Sequence, residues 1–203
     1  MTGEQRVFVV DDDAGVRDSL RVLLLSAGFK VTCYPAATAF LSDPEPKLGC
    51  LVADIRMPDM TGLDLQDELV RRGDTLPVII VTGHGDVPLA VRALKSGAVD
   101  FLEKPFDDEQ LLSSIKRALE IGSRDRTRRA GREEAQQLLE LLTPRERSIL
   151  DKLVTGRSNK VAAYELGISP RTVEIHRARI MDKLKATNLS DLVRIALAAD
   201  EGD

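Results

Sequence analysis

The sequence predicts an α/β doubly wound (βα)5 domain followed by an all-α four-helix domain of helix-turn-helix type. Three observations carry this. Residues 1–121 alternate short β-branched runs with segments of helical period five times. Residues 138–203 carry no strand signal and a series of short, well-capped helices. The charge divides in the same place. Residues 1–121 hold 13 Lys+Arg against 20 Asp+Glu, a net of −7, and residues 122–203 hold 16 against 13, a net of +3. The overall −4 argues against a nucleic-acid partner, but the division points to two modules with different partners.

The first strand is Arg6–Val10, followed by a helix with apolar positions Val16, Leu20, Leu23 and Leu24 that stops at Gly28. Val31–Tyr34 is the second strand and Ala37–Leu41 a short helix. Cys50–Ala53 runs into Asp54 as the third strand, and Leu63–Val70 is the next helix. Strand Val78–Val81, helix Val87–Ser96 ending at Gly97, and the brief strand Val99–Leu102 follow. Asp107 caps a helix from Glu109 to about Ile121. Such repeats imply a parallel sheet in the order 2-1-3-4-5 with helices on both faces.

Residues 122–137 are polar and contain Arg124, Arg126, Arg128, Arg129 and Arg132. They read as a linker that lacks proline and so can extend the preceding helix, although Gly122 and Gly131 weaken it. Thr143-Pro144-Arg145-Glu146 is a capping box with proline at the first helical position. Its helix packs through Ile149, Leu150, Leu153 and Val154 and ends at Gly156. Ser158 caps the next, with Val161, Ala162 and Leu166 apolar and Gly167 closing it. Ser169-Pro170 opens a longer helix to Leu184, and a last one spans about Leu189–Ala199.

Several function classes drop out. No apolar run approaches the ~18–20 residues of a membrane helix, and Met1–Arg6 lacks a signal peptide's basic start and apolar stretch. Cys33 and Cys50 form no C-x-x-C pair and read as small buried hydrophobes in a reducing cytoplasm.

Asp11 and Asp12 follow strand one and Asp54 follows strand three, neighbours at the topological switch point where such folds bind ligands. Asp13 reads as a bystander. The three carboxylates converge in this topology, and an oxygen-only, partly open cluster suits Mg²⁺. Two further strand ends deliver the Thr82 hydroxyl and the Lys104 ammonium. A nucleophilic carboxylate, a hard cation, a hydroxyl and a fixed positive charge together can accept a phosphoryl group.

Val9-Val10-Asp11-Asp12, Asp54-Ile55-Arg56-Met57-Pro58-Asp59-Met60-Thr61-Gly62, Thr82-Gly83 and Lys104-Pro105 resemble the receiver domain of bacterial two-component response regulators, over essentially all of residues 5–121. The resemblance implies that Asp54 is the phosphoacceptor and that Asp11, Asp12 and Asp54 hold Mg²⁺ with the Arg56 carbonyl. It also implies that Lys104 contacts the phosphoryl group, that Thr82 and Phe101 are a switch pair, and that the peptide before Pro105 is cis. In that family the fourth helix and fifth strand become a dimer surface on phosphorylation, for which Val91, Leu94 and Lys95 are candidates here.

In the second module, the helices joined through Gly167-Ile168-Ser169 read as a helix-turn-helix. On the wheel of the helix after Ser169, Val173, Ile180 and Leu184 share one face. Arg171, Ile175, Ala178, Arg179 and Asp182 lie opposite, with Glu174 and Lys185 on a flank. Isoleucine and alanine beside arginines suit a major groove, and Lys160 a phosphate. Leu142–Glu146, Gly156, Asn159-Lys160, Ile168–Val173 and His176 resemble the four-helix DNA-binding domain of the LuxR/NarL class, over about residues 138–199. That implies a structural Glu146, backbone contacts from Lys160 and Thr172, and base readout by Glu174, Ile175 and Ala178. Cytosine is the base Glu174 suits. His176 lies on the core edge of the wheel and reads as a packing and hydrogen-bonding residue.

Together the two resemblances imply a phosphorylation-gated, DNA-binding transcription activator, with a sensor histidine kinase, double-stranded DNA, RNA polymerase and a second copy of the chain as partners. Thr82–Pro88, Gly97–Phe101 and Glu103–Phe106 are similar to a branch of the family served by a haem-based, oxygen-sensing, FixL-like kinase at nitrogen-fixation promoters. Relatives serving other sensors share much of that pattern, and His84 within it is equally a surface loop residue. A Mg²⁺-dependent aspartyl-phosphate phosphatase or phosphotransferase is the enzymatic alternative. The sequence holds no P-loop, G-x-S-x-G or G-x-G-x-x-G, and no second acid–base residue accompanies Asp54. A receiver acting only through protein contact is disfavoured by the basic helical module.

Overall fold

The computed structural model describes residues 5–83 and 87–200. The chain divides into two compact units, Met1–Asp125 and Arg126–Asp203.

In the first unit, β1 (Arg6–Val10), β2 (Lys30–Tyr34), β3 (Cys50–Asp54), β4 (Val78–Thr82) and β5 (Asp100–Glu103) form one parallel sheet in the order β2-β1-β3-β4-β5. Period-two alternation builds a separate core on each face. Phe8, Val10, Leu51, Ala53, Val78 and Ile80 point to one face, where α2 (Ala37–Ser42), α3 (Gly62–Arg71) and α4 (Val87–Lys95) cover them through Phe40, Leu65, Leu69 and Ala93. Val7, Val9, Cys50, Val52, Ile79 and Val81 point to the other, under α1 (Ala14–Ser26) and α5 (Asp108–Glu140), whose Leu20, Leu24, Leu111 and Ile115 close that side. Burial on both faces is why these strands read as unbroken apolar runs.

One helix takes the longer of the two courses the sequence left open. The segment expected to end near Ile121 continues, as α5, to Glu140. Proline is absent, and Arg124–Glu120 and Arg129–Glu133 lie at i,i+4 spacing. Ala135 and Leu139 at its end join the core of the second unit, so packing sustains the helix where local propensity is weak.

That second core collects α6 (Pro144–Val154), α7 (Asn159–Glu165), α8 (Pro170–Lys183) and α9 (Leu189–Asp200). Each of the first three starts on a hydroxyl cap. Thr143 closes the full capping box with Glu146, Ser158 accepts from the Val161 N–H, and Ser169 accepts from the Thr172 N–H. Val161 is 41% exposed rather than a core residue, since Ala162 and Ala163 take the buried face of α7. Cys50 is fully buried and burial pushes its thiol up to about 12, whereas Cys33 is only half-buried.

Candidate functional site

Parallel strands deliver their C-terminal ends to one edge of the sheet, so the residues that follow β1, β3, β4 and β5 become neighbours despite wide separation in sequence. Asp11 and Asp54 are both buried there, and the Lys104 ammonium bridges them at 2.7 Å to Asp11 Oδ2 and 2.7 Å to Asp54 Oδ1. Two carboxylates this close repel each other without a cation between them. Burial pulls the Lys104 pKa down, but hydrogen bonds to Asp11 and Asp54 outweigh it and hold the ammonium above its ordinary value. The Lys104–Pro105 peptide is cis.

Backbone groups complete the placement. The Arg56 N–H donates to Asp54 Oδ2 at 2.6 Å, and the Asp13 N–H to Asp11 Oδ1 at 2.9 Å. The Arg17 guanidinium donates to the Asp11 and Asp12 carbonyls at 2.8 and 2.9 Å, fixing the turn after β1. Asp13, read from sequence as a bystander, caps α1 by accepting from the Gly15 and Val16 N–H groups. Gly62 lies directly against the strand end. A Cβ there would stand 2.3 Å from the Asp54 carbonyl oxygen, and the Gly62 N–H donates to the Ile55 carbonyl at 3.0 Å. Only glycine permits that approach. Arg17 carried no sequence signal because its role is to backbone carbonyls, and Gly62 stood inside a recognised motif without an assigned role.

The expected three-carboxylate convergence is found for two. Asp12 is exposed, and among the described residues no three His, Cys, Asp or Glu side chains form a group that could hold a metal ion. Lys104 now makes both carboxylate contacts, which draws Asp11 and Asp54 together without Asp12. The donor set itself, two buried carboxylates and nearby backbone carbonyls, is all oxygen and is of the type that suits a hard divalent cation. Thr82 is buried at 1% exposure, and its carbonyl accepts from the Lys104 N–H at 2.7 Å. Phe101 is half-buried against the α3–α4 side core. Asp100 beside it accepts from Ser114 and Arg117 of α5, at 2.5 and 2.7 Å. Val91, Leu94 and Lys95 are all exposed, and Val87, at 76% exposure, extends the same apolar strip by one turn. His84 lies outside the described residues.

In the second unit, Val173, Ile180 and Leu184 are buried, which turns the opposite face of α8 outward. Arg171, Glu174, Ala178 and Arg179 are exposed on it, with Ile175 48% exposed among them. The half-buried Thr172 shares its hydroxyl with Ser169 Oγ at 2.8 Å, within the helix cap. Lys160 is exposed and lines a cleft with Arg157 and Arg177, two cations the wheel did not single out. Beneath this surface Glu146 is buried and accepts from Lys183 at 2.7 Å as well as from the Thr143 N–H. Those bonds pull its carboxyl down to about 2. His176 is half-buried with Nδ1 making no hydrogen bond, so at that nitrogen the side chain packs without bonding.

Two families match the chain. Residues 7–116 match the response regulator receiver domain, and residues 140–196 match the bacterial regulatory proteins of the luxR family. The transcriptional regulatory protein FixJ of Azorhizobium caulinodans is 50% identical over 194 residues, 95% of this chain and 92% of that protein. The response regulator protein TodT of Pseudomonas putida is 42% identical, over 93% of this chain and 84% of its own. Among solved structures, the response regulator StyR superposes with a TM-score of 0.84 at 43% identity, covering 96% of this chain and 99% of that one. Among the described residues, no helix is long and apolar enough to cross a membrane.

Proposed function

The chain belongs to the two-component response regulators that join a receiver domain to a LuxR-type DNA-binding domain, and from that premise we propose that phosphorylation of Asp54 by a sensor histidine kinase switches it into a DNA-binding transcription activator. Residues 1–121 act as the receiver, 122–137 as the linker and 138–203 as the DNA-binding domain. The observation that carries the reading is the buried Asp11–Lys104–Asp54 bridge at the strand ends of a domain joined to an exposed basic recognition helix.

The Asp54 carboxylate attacks the phosphorus of a phosphohistidine. An O–P bond forms, the P–N bond breaks, and the imidazole leaves. Asp11, Asp12 and Asp54, with the Arg56 carbonyl, would hold Mg²⁺, which would supply charge neutralisation at the phosphoryl oxygens when bound. Lys104 reaches the phosphoryl group from the position in which it already contacts Asp54. Thr82 turns its hydroxyl to a phosphoryl oxygen, and Phe101 moves into the space beside it. α4 and β5 then pair two chains through Val91, Leu94 and Lys95. Pairing brings two recognition helices to one two-fold site, where Lys160 and Thr172 contact phosphates and Arg171, Glu174, Ile175, Ala178 and Arg179 face the major groove. The protein works in the cytoplasm, recruits RNA polymerase, and answers an oxygen-responsive, FixL-like kinase at nitrogen-fixation genes. This last assignment follows the 50% identity to FixJ, and the 42% identity to TodT supports another sensor as the second reading.

Acetyl phosphate with Mg²⁺ should convert the wild-type chain to a dimer and raise its affinity for duplexes selected from a random pool. Asp54→Asn should abolish both responses. Undiminished phosphate uptake and dimerisation in Asp54→Asn would overturn the mechanism, and steady turnover of a phosphomonoester by the wild type would favour an enzyme instead.

A further inference from the structure

Nine residues of α5, 126–134, lie inside the second unit before its core begins at Ala135, and none of them is buried. Arg126 and Arg132 are half-buried and the other seven exposed. Their charge is one-sided in two senses. Residues 126–132 hold Arg126, Arg128, Arg129 and Arg132 with no acid and no lysine. At about 100° per residue, the four arginines also fall within one half of the helix circumference, while Thr127, Ala130 and Gly131 occupy the other. A helix that merely needs solvation mixes both signs at i,i+4 spacing. Here Asp125 precedes the run and Glu133 and Glu134 follow it, so that Arg129 alone of the four has an acid at i,i+4 spacing. Gly131 has open space where a Cβ would stand, so packing does not demand a glycine there.

We propose that this arginine face of α5 is a second DNA-contacting surface, gripping the phosphate backbone of duplex DNA without reading sequence. The inference rests on the DNA-binding reading of the second unit and adds to it. The four arginines supply +4 of the charge on residues 122–203, whose net is only +3, so without them the unit's positive balance is lost. Exclusive use of arginine suits phosphate, because the planar guanidinium offers paired donors and is more weakly hydrated than an ammonium. The Arg129–Glu133 ion pair, at 3.2 Å with both side chains 60% exposed, is of the surface kind that exchanges readily for a phosphate.

The test measures binding of the full chain to a fluorescent random-sequence duplex of about 40 base pairs across 50–200 mM salt, by anisotropy. Each phosphate contact contributes about 0.9 to the slope of log affinity against log salt. The quadruple variant Arg126→Gln, Arg128→Gln, Arg129→Gln, Arg132→Gln, with glutamine close to arginine in helix propensity, should flatten that slope by about 2 or more and bind about tenfold more weakly at 50 mM. Circular dichroism should show unchanged helix content. The pair Arg171→Ala, Arg179→Ala should weaken binding independently, so that combining the two sets multiplies their effects. An unchanged slope in the quadruple variant, with the wild type still binding, overturns the arginine surface and leaves the DNA-binding reading intact. Loss of acetyl-phosphate-driven dimerisation with an unchanged slope overturns it in favour of a protein partner. A wild-type chain with no salt-dependent binding overturns both readings.

Discussion

Asp54 is 7% exposed and Ile175 48%, and the contrast separates two ways of building a functional surface. The first unit buries its chemistry. Its carboxylates sit at the ends of apolar strands and are tolerable only because Lys104 lies between them. The second unit buries its support and exposes its chemistry. There the buried Glu146, paired with the half-buried Lys183, serves the scaffold, and the candidate contact residues face outward on α8. A substitution in the first unit should therefore disturb stability and function together, and one in the second should separate them.

Lys104→Met is the strongest probe of that difference. It leaves Asp11 and Asp54 facing each other without a cation, at a cost of about 3–5 kcal/mol in urea unfolding of the full chain. Millimolar Mg²⁺ should return part of the loss, because an ion that binds only the folded state stabilises it. A variant as stable as wild type without Mg²⁺ would show that the bridge is not a structural charge.

Glu146→Gln should cost about 1–2 kcal/mol, because it weakens the bonds that the buried carboxylate accepts from Lys183 and Thr143 while the part-exposed Lys183 keeps its access to water. The pH dependence has a definite sign. The folded Glu146 carboxyl lies at about 2, below its ordinary 4.5, so its stabilisation is complete above pH 4.5 and fades as the pH falls toward about 2. The difference between wild-type and Glu146→Gln unfolding midpoints should therefore shrink across that interval. A difference that stays constant from pH 6 to 3 would remove the ion pair as its cause.

The smallest effect sharpens the contrast most. Ile175→Ala should move stability by less than about 0.5 kcal/mol, as exposed positions do. It should cost about 1 kcal/mol in affinity for a selected duplex while barely changing binding to random DNA. Equal losses on both duplexes would take Ile175 out of base readout.

The same contrast explains what the sequence reveals. Strand order and the meeting of Asp11, Asp54 and Lys104 were legible because a parallel sheet sends every strand's end to one edge, whatever the sequence between. The outward face of α8 was legible from helical periodicity, since Val173, Ile180 and Leu184 had to be inside. Side chains that serve backbone were less visible. Arg17 binds two carbonyls and leaves no mark in residue pattern, while Asp13, which satisfies two N–H groups as the cap of α1, was masked by the acidic run it belongs to. The length of α5 was hidden for a related reason. Two glycines and a polar stretch argue locally for a break, and only the burial of Ala135 and Leu139 further on argues against it.

Gly62 carries one more consequence. Its N–H ties back to the Ile55 carbonyl, and its missing Cβ lets it rest on the Asp54 backbone, so residues 55–62 form a closed hoop braced against the end of β3. The strand end has no room to recoil on that side. If a phosphoryl group is delivered to Asp54 as proposed, this bank of the site is held by backbone and does not give way. On that proposal the direction of the response would come from stiffness, with one bank clamped and any rearrangement left to the other.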